Sequence, residues 1–222
     1  MFKNTISIQT NNQINISTTN LNYLAHIFLS DEDDFIKIGN FMADAVKGKH
    51  YEQYPVGIQI GIKLHRFIDT FTDAHEIYRK SKHRLHEKFG HYSGVIMDII
   101  YDHFLAKNWS LFSNIALEKY ADDFYNLLQS NNDILAPKTQ HLLPYMIKTN
   151  WLVCYKSLEG LELILFQMDY RTKNRVNMPA AINEVMEFYT ELEQEFLAFF
   201  SALHQHALLE LNRLKNEFHY NT

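Results

Sequence analysis

The chain has a single cysteine among its 222 residues, Cys154. No disulfide can close within it, and a reducing cytoplasm is compatible with that. Cys154 sits in the apolar run "WLVCY" and reads as packing rather than as a reactive thiol. Only seven Gly and four Pro punctuate the chain, too few turn formers for a many-stranded β fold. No apolar run approaches the ~20 residues needed to span a bilayer. Basic excess is missing as well: the net charge is −5, so no overall field draws in nucleic acid. What is present is 46% hydrophobic and 21% charged residues, the balance of a soluble globular protein long enough to bury a sizeable core.

Residues 1–20, rich in Asn, Thr, Ser and Ile, lack the apolar core and cleavage site of a signal peptide. They read as a disordered tail or an upstream extension. From residue 21 to about 218 no linker or repeat interrupts the chain, so one all-α domain is expected. A short apolar helix covers Tyr23 to Ser30, and the acidic "SDEDD" opens a second that runs through "FIKIGNFMADAVKG" to Gly48. Pro55 is placed to open a third, and Asp73 to cap a fourth that ends at Gly90. A fifth spans 93–107, and further helices are expected near 114–130, 138–153 and 157–169, with Pro144 bending or dividing the second of these. Apolar residues at helical spacing from Ala180 to Phe218 predict one long final helix.

Within these helices, polar residues occupy positions that otherwise read as core. "VIMDIIYDHFL" (95–105) carries Asp98 and Asp102 four apart, hence on one helical face, with His103 about 100° further round. The third helix repeats the spacing with His65 and Asp69, the second offers Asn40 and Asp44, and the first holds His26. Gly39 and Gly61 beside them allow close backbone approach. So many acids cannot share a core without cations. A carboxylate–imidazole set suits Mg²⁺, Mn²⁺ or iron better than a thiolate-rich zinc site, for which the cysteines are missing. None of the 12 histidines has Glu three residues before it, and His-Glu-x-x-His is absent, which disfavours the di-iron bundle and the zincins. A divalent metal activating water for hydrolysis at phosphorus remains.

Four blocks, "LNYLAH" (21–26), "GNFMADAVKG" (39–48), "GIKLHRFIDTFTDAH" (61–75) and "DIIYDHFLAKNW" (98–109), resemble the acyl carrier protein phosphodiesterases in order and in spacing. The resemblance covers residues 21 to about 215. It implies a multi-helix bundle distantly similar to HD-type phosphohydrolases, a divalent cation (Mn²⁺ or Mg²⁺), and removal of 4′-phosphopantetheine from holo-acyl carrier protein. It carries over Asp44, His65, Asp69, Asp98, Asp102 and His103 as site residues. Leu21 stands where the family opens with Met, so translation is expected to start at that codon.

On chemistry, Asp44, His65, Asp69, Asp98 and Asp102 are the expected metal ligands, and His103 or His26 the general acid for the leaving serine oxygen. Arg66 or Lys63 would contact phosphate, with an ion pair to a site carboxylate as the other reading of Arg66. Asn40 is a further substrate-binding candidate. Acyl carrier proteins are acidic, and Arg79, Lys80, Lys82 and Arg84 offer a basic docking face. "RTKNR" (171–175) is a second basic cluster. Two other readings are a phosphohydrolase acting on a nucleotide or another phosphodiester, and a non-catalytic helical partner-binding module. Neither oligomeric state nor metal number can be read from the sequence.

Overall fold

A computed structural model describes residues 23–220. The expected tail or extension over 1–20 and the start at Leu21 lie outside the described residues. All regular structure among the described residues is helical. Asp33, at the end of the acidic run, caps α2 (Asp34–Met42) by accepting from the Ile36 N–H at 3.0 Å. The expected continuation to Gly48 stops earlier, in a single 3₁₀ turn over Ala43–Ala45. Pro55 precedes α3 (Val56–Ala74). It is His75, not Asp73, that caps α4 (Glu76–Phe89), its ring accepting from the Ile77 N–H at 3.3 Å.

α5 (Ser93–Lys107) is buried on every side, with only Gly94 and Lys107 escaping the interior, the mark of a central helix. It is packed by α1 (Tyr23–Phe28), α4, α9 (Leu158–Arg171) and α11 (Tyr189–Glu217). α6 (Leu117–Ser130) and α7 (Pro137–Thr149) complete the described core on one flank. Pro144 lies inside an unbroken α7; the division comes instead at Asn150, whose φ of 46° Asn tolerates, before the short α8 (Trp151–Cys154). The final helix is long, as expected, but α10 (Ala181–Glu187) is set off from it at Phe188. No helix among the described residues is long and apolar enough to cross a membrane.

The tightest crossing is that of α2 with α3. A Cβ on Gly39 would lie 2.2 Å from the Ile58 carbonyl oxygen, and one on Gly61 2.2 Å from that of Ile36. Each contact is with backbone, which cannot swing aside. Gly39→Ala or Gly61→Ala is therefore expected to force the helices apart and cost about 3 kcal/mol or more. Urea unfolding of either variant checks this, and a midpoint equal to wild type would overturn it.

Candidate functional site

The α2–α3 crossing brings residues distant in sequence to one point. Asn40, fully buried on α2, is the hub. Its side-chain oxygen lies 2.7 Å from Nδ1 of His26 on α1, and its backbone oxygen 2.8 Å from Nδ1 of His65 on α3. Its amide donates to the His26 carbonyl (2.9 Å) and to Ser30 Oγ (2.8 Å), which fixes the oxygen toward His26. Both imidazoles therefore carry hydrogen on Nδ1 and turn Nε2 away from Asn40. The rings stack with centroids 4.0 Å apart. Asp69, one turn after His65 on α3, meets both: Oδ1 is 3.3 Å from His26 Nε2 and Oδ2 is 3.2 Å from His65 Nε2. Asp44, in the 3₁₀ turn after α2, comes to 3.4 Å from His65 Nε2.

Ligand atoms of His26, His65 and Asp69 all lie within 4.8 Å of one another. His26 Nε2, His65 Nε2 and Asp69 Oδ1 are buried and, beyond the ion-pair contacts among themselves and with Asp44, make no well-aligned hydrogen bond among the described residues. Such orphaned atoms are costly in a packed interior. The electrostatics are correspondingly strained. Burial pushes His26 below its usual value, with His65 adding to that and Asp69 opposing. Burial also opposes charge on His65, but the Asp44 and Asp69 carboxylates outweigh it and push that imidazole up to about 10. Against its own burial, Asp69 is held well below the usual carboxylate range by the two imidazoles.

The α5 residues do not join this cluster, contrary to expectation. Asp102 accepts the Leu24 and Ala25 N–H groups at 2.9 Å each, satisfying the N-terminus of α1 from outside. It is a positioning residue for His26, which lies one to two residues further along α1. Burial raises its carboxyl well above the usual range, against the pull of those two donors. Asp98 accepts from the Tyr78 hydroxyl at 2.6 Å, and burial raises it too. His103 is occupied at both ring nitrogens, by the Tyr155 carbonyl (2.7 Å) and the Tyr189 hydroxyl (2.8 Å), and burial lowers it. With both nitrogens engaged, it is in no position to protonate a leaving group at the cluster.

The expected phosphate and docking cations are likewise held elsewhere. Arg66 has no carboxylate partner among the described residues: it donates to the Val46 (3.3 Å) and Gly48 (2.7 Å) carbonyls and lies over Tyr51. Lys63 pairs with Glu217 at 2.8 Å. Arg84 forms a two-pronged pair with Glu195 (2.5 and 2.7 Å), joined by Lys80 (2.9 Å) and Ser81. Lys82 pairs with Asp73 at 3.1 Å. Of this α4 set, Arg79 alone lacks an acidic partner among the described residues. The reason is the same throughout: facing helices supply acids that a reading along one helix does not see.

One cleft opens beside the cluster, and Asp44 belongs to both. Tyr23, Phe41, Leu142 and Met168 give it an apolar wall, and Lys138 and Arg171 also line it. Arg171 had no sign of its own in the sequence beyond its place in "RTKNR".

The fold and this cluster define an all-helical domain built around a buried histidine–aspartate site. The sequence profile of the acyl carrier protein phosphodiesterase family matches residues 21–203, and the chain belongs to that family. A relative named acyl carrier protein phosphodiesterase from Photorhabdus laumondii is 27% identical over 81% of this chain and 91% of its own length. One of the same name from Pectobacterium atrosepticum is 27% identical over 83% and 96%, and one from an Escherichia coli strain 25% identical over 84% and 97%. No solved structure matches at a significant level.

Two outcomes follow for the residues around the cluster. Asp102→Ala strands two buried N–H groups and should cost about 3 kcal/mol in urea unfolding; an unchanged midpoint would refute the capping role. Glu195 is held at about 2, where burial works against its charge but Arg84, Ser81 and Lys80 prevail. Between its usual 4.5 and about 2 the unfolded chain binds a proton that the folded chain does not. Its stabilisation is thus full above pH 4.5 and fades as pH falls toward 2. Glu195→Gln should lower the urea midpoint at pH 7 and leave it near wild type at pH 2; a deficit independent of pH would contradict this.

Proposed function

We propose that the chain is a metal-dependent phosphodiesterase that hydrolyses the bond between 4′-phosphopantetheine and the serine of holo-acyl carrier protein, releasing the apo carrier. The family supplies the carrier as substrate; the metal reading rests on this chain's own geometry. The observation that carries it is the set of three orphaned buried atoms, His26 Nε2, His65 Nε2 and Asp69 Oδ1, turned toward one another. The donor chemistry fits a divalent cation: two imidazoles with Nδ1 anchored, of which His65 would give up its Nε2 proton on loading, one carboxylate between them, and Asp44 at the edge. Two imidazole nitrogens favour Mn²⁺ or iron over Mg²⁺. A divalent ion supplies Lewis acidity toward the phosphodiester and the attacking water when bound there.

The chain's residues do the rest. Asn40 sets both ring orientations, and Asp102 holds α1 so that His26 faces α3. Asp69 offsets positive charge between the rings. Asp44, half-exposed, is the group of the set that both the cluster and the cleft share.

Mass spectrometry of holo-acyl carrier protein incubated with the protein and Mn²⁺ tests the proposal. The phosphopantetheine mass should be lost, and Asp69→Asn or Asp44→Ala should abolish the loss. A chelator should stop turnover and lower the melting temperature, and Mn²⁺ should restore both. Asn40→Ala, which frees both rings, should weaken metal affinity about 10–100-fold. A carrier left intact over prolonged incubation would refute the reaction.

A further inference from the structure

We infer that Arg171 and Lys138 form an anion-binding end of the cleft beside Asp44, where they hold a phosphoryl group while the apolar wall takes the uncharged carbon arm attached to it. This rests on the phosphodiesterase reading for the identity of the arm, but the recognition of phosphate stands on the cleft alone.

The first observation is a desolvated cation without an anion. Arg171, at the C-terminal end of α9, is half-buried, and no carboxylate pairs with it among the described residues. Its one polar contact there is the Met168 sulfur, 3.8 Å from a guanidinium nitrogen. Burial lowers it, with the Tyr23 and Tyr155 hydroxyls pulling the other way. Several other cations drawn into the surface are paired, Arg84 with Glu195, Lys37 with Glu32 and Lys215 with Asp31, while Arg66 is held by the Val46 and Gly48 carbonyls. An unpaired cation in such a place carries a desolvation cost that an incoming anion relieves.

The second observation is that this guanidinium is held ready. Its central carbon lies 4.6 Å from the centroid of the Trp151 ring. Trp151 is fixed in turn: its Nε1–H donates to Gln167 Oε1 at 2.6 Å, and Tyr23 stacks on it at 6.1 Å and 27°. Gln167 and Arg171 are four apart on α9, so one helical face carries both the clamp and the cation. Contact with the ring restrains the guanidinium without using its N–H donors, which stay available to two oxygens of a phosphate, the pairing in which arginine binds it with two parallel bonds.

The third is placement. Lys138, in the first turn of α7, is also half-buried and has no acidic partner among the described residues. The two cations share a cleft with Asp44, whose carboxylate reaches 3.4 Å from His65 Nε2. The cleft is open to solvent, so a chain would lie along it rather than be enclosed. Its apolar wall suits an uncharged chain, and the phosphate at the end of that chain would lie between the cations and the cluster.

Calorimetric titration of the Mn²⁺-loaded full chain with 4′-phosphopantetheine, pantetheine and inorganic phosphate tests the inference. Wild type should bind 4′-phosphopantetheine at least tenfold more tightly than pantetheine. Arg171→Ala should erase that preference without weakening pantetheine, and Arg171→Lys should recover part of it. Lys138→Ala, at a more exposed position, should reduce the preference severalfold and carries the test if Arg171→Ala does not fold. An unchanged preference in the folded variants, or none in wild type, overturns the inference. If holo-acyl carrier protein is not hydrolysed but the Arg171-dependent preference holds, the reaction falls and the anion site stands. If hydrolysis proceeds with the same KM and kcat in Arg171→Ala, the anion site falls and the reaction stands.

Discussion

Everything at the site depends on how close α2 comes to α3. With only hydrogen at Gly39 and Gly61, the two backbones meet in direct contact. That approach puts the Asn40 carbonyl 2.8 Å from His65 Nδ1. A separation larger by one methyl group would break that bond and release the ring. The same residue's side chain then reaches α1 and sets His26. One asparagine thus converts a helix crossing into the parallel alignment of two imidazoles, which is why the close packing and the chemistry cannot be separated.

The central helix α5 shows how buried polar groups divide labour. Because it is enclosed on all sides, each of its polar residues must find a partner from a different neighbour. Asp102 serves α1, Asp98 serves α4 through Tyr78, and His103 joins the Tyr155 carbonyl to Tyr189 at the start of α11. These partners belong to different elements. The helix is a scaffold that holds the bearer of His26, not a wall of the cluster.

How much of this could be read from residues alone follows from the range of each interaction. Helical periods, the cap at Asp33 and the need for glycine at 39 and 61 are local matters, and they were legible. So was the pairing of His65 with Asp69, four apart on one helix. The breaks at Asn150 and Phe188 carry no Gly or Pro to announce them. The partners of Asp98, Asp102 and His103 come from chain segments 20 to 86 residues away, and spacing within a helix says which side chains share a face but not what faces them. The partners of the basic run on α4 were hidden for the same reason, since Glu195, which meets Arg84 and Lys80, lies over a hundred residues on. Arg171 is the converse case: its signal is the lack of a partner, a property that exists only once the chain is folded.

The charge balance of the cluster also explains why it sits next to a cationic rim. Asp44 and Asp69 together bring two negative charges to two imidazoles that, as neutral rings, bring none. Without a cation the balance falls to a proton, and His65, drawn up to about 10, is where it resides. On the reading proposed above, a divalent ion and that proton compete for the same nitrogen, so loading the site releases the proton. The loaded cluster would then be near neutral, and an incoming phosphodiester would meet no net repulsion from the two carboxylates. The remaining positive charge for its phosphate would come from elsewhere in the cleft, where Arg171 lies on Trp151 without a carboxylate partner among the described residues. On that reading the acids would hold the metal and the partnerless cations the substrate's phosphate, with Asp44 the residue that both the cluster and the cleft share.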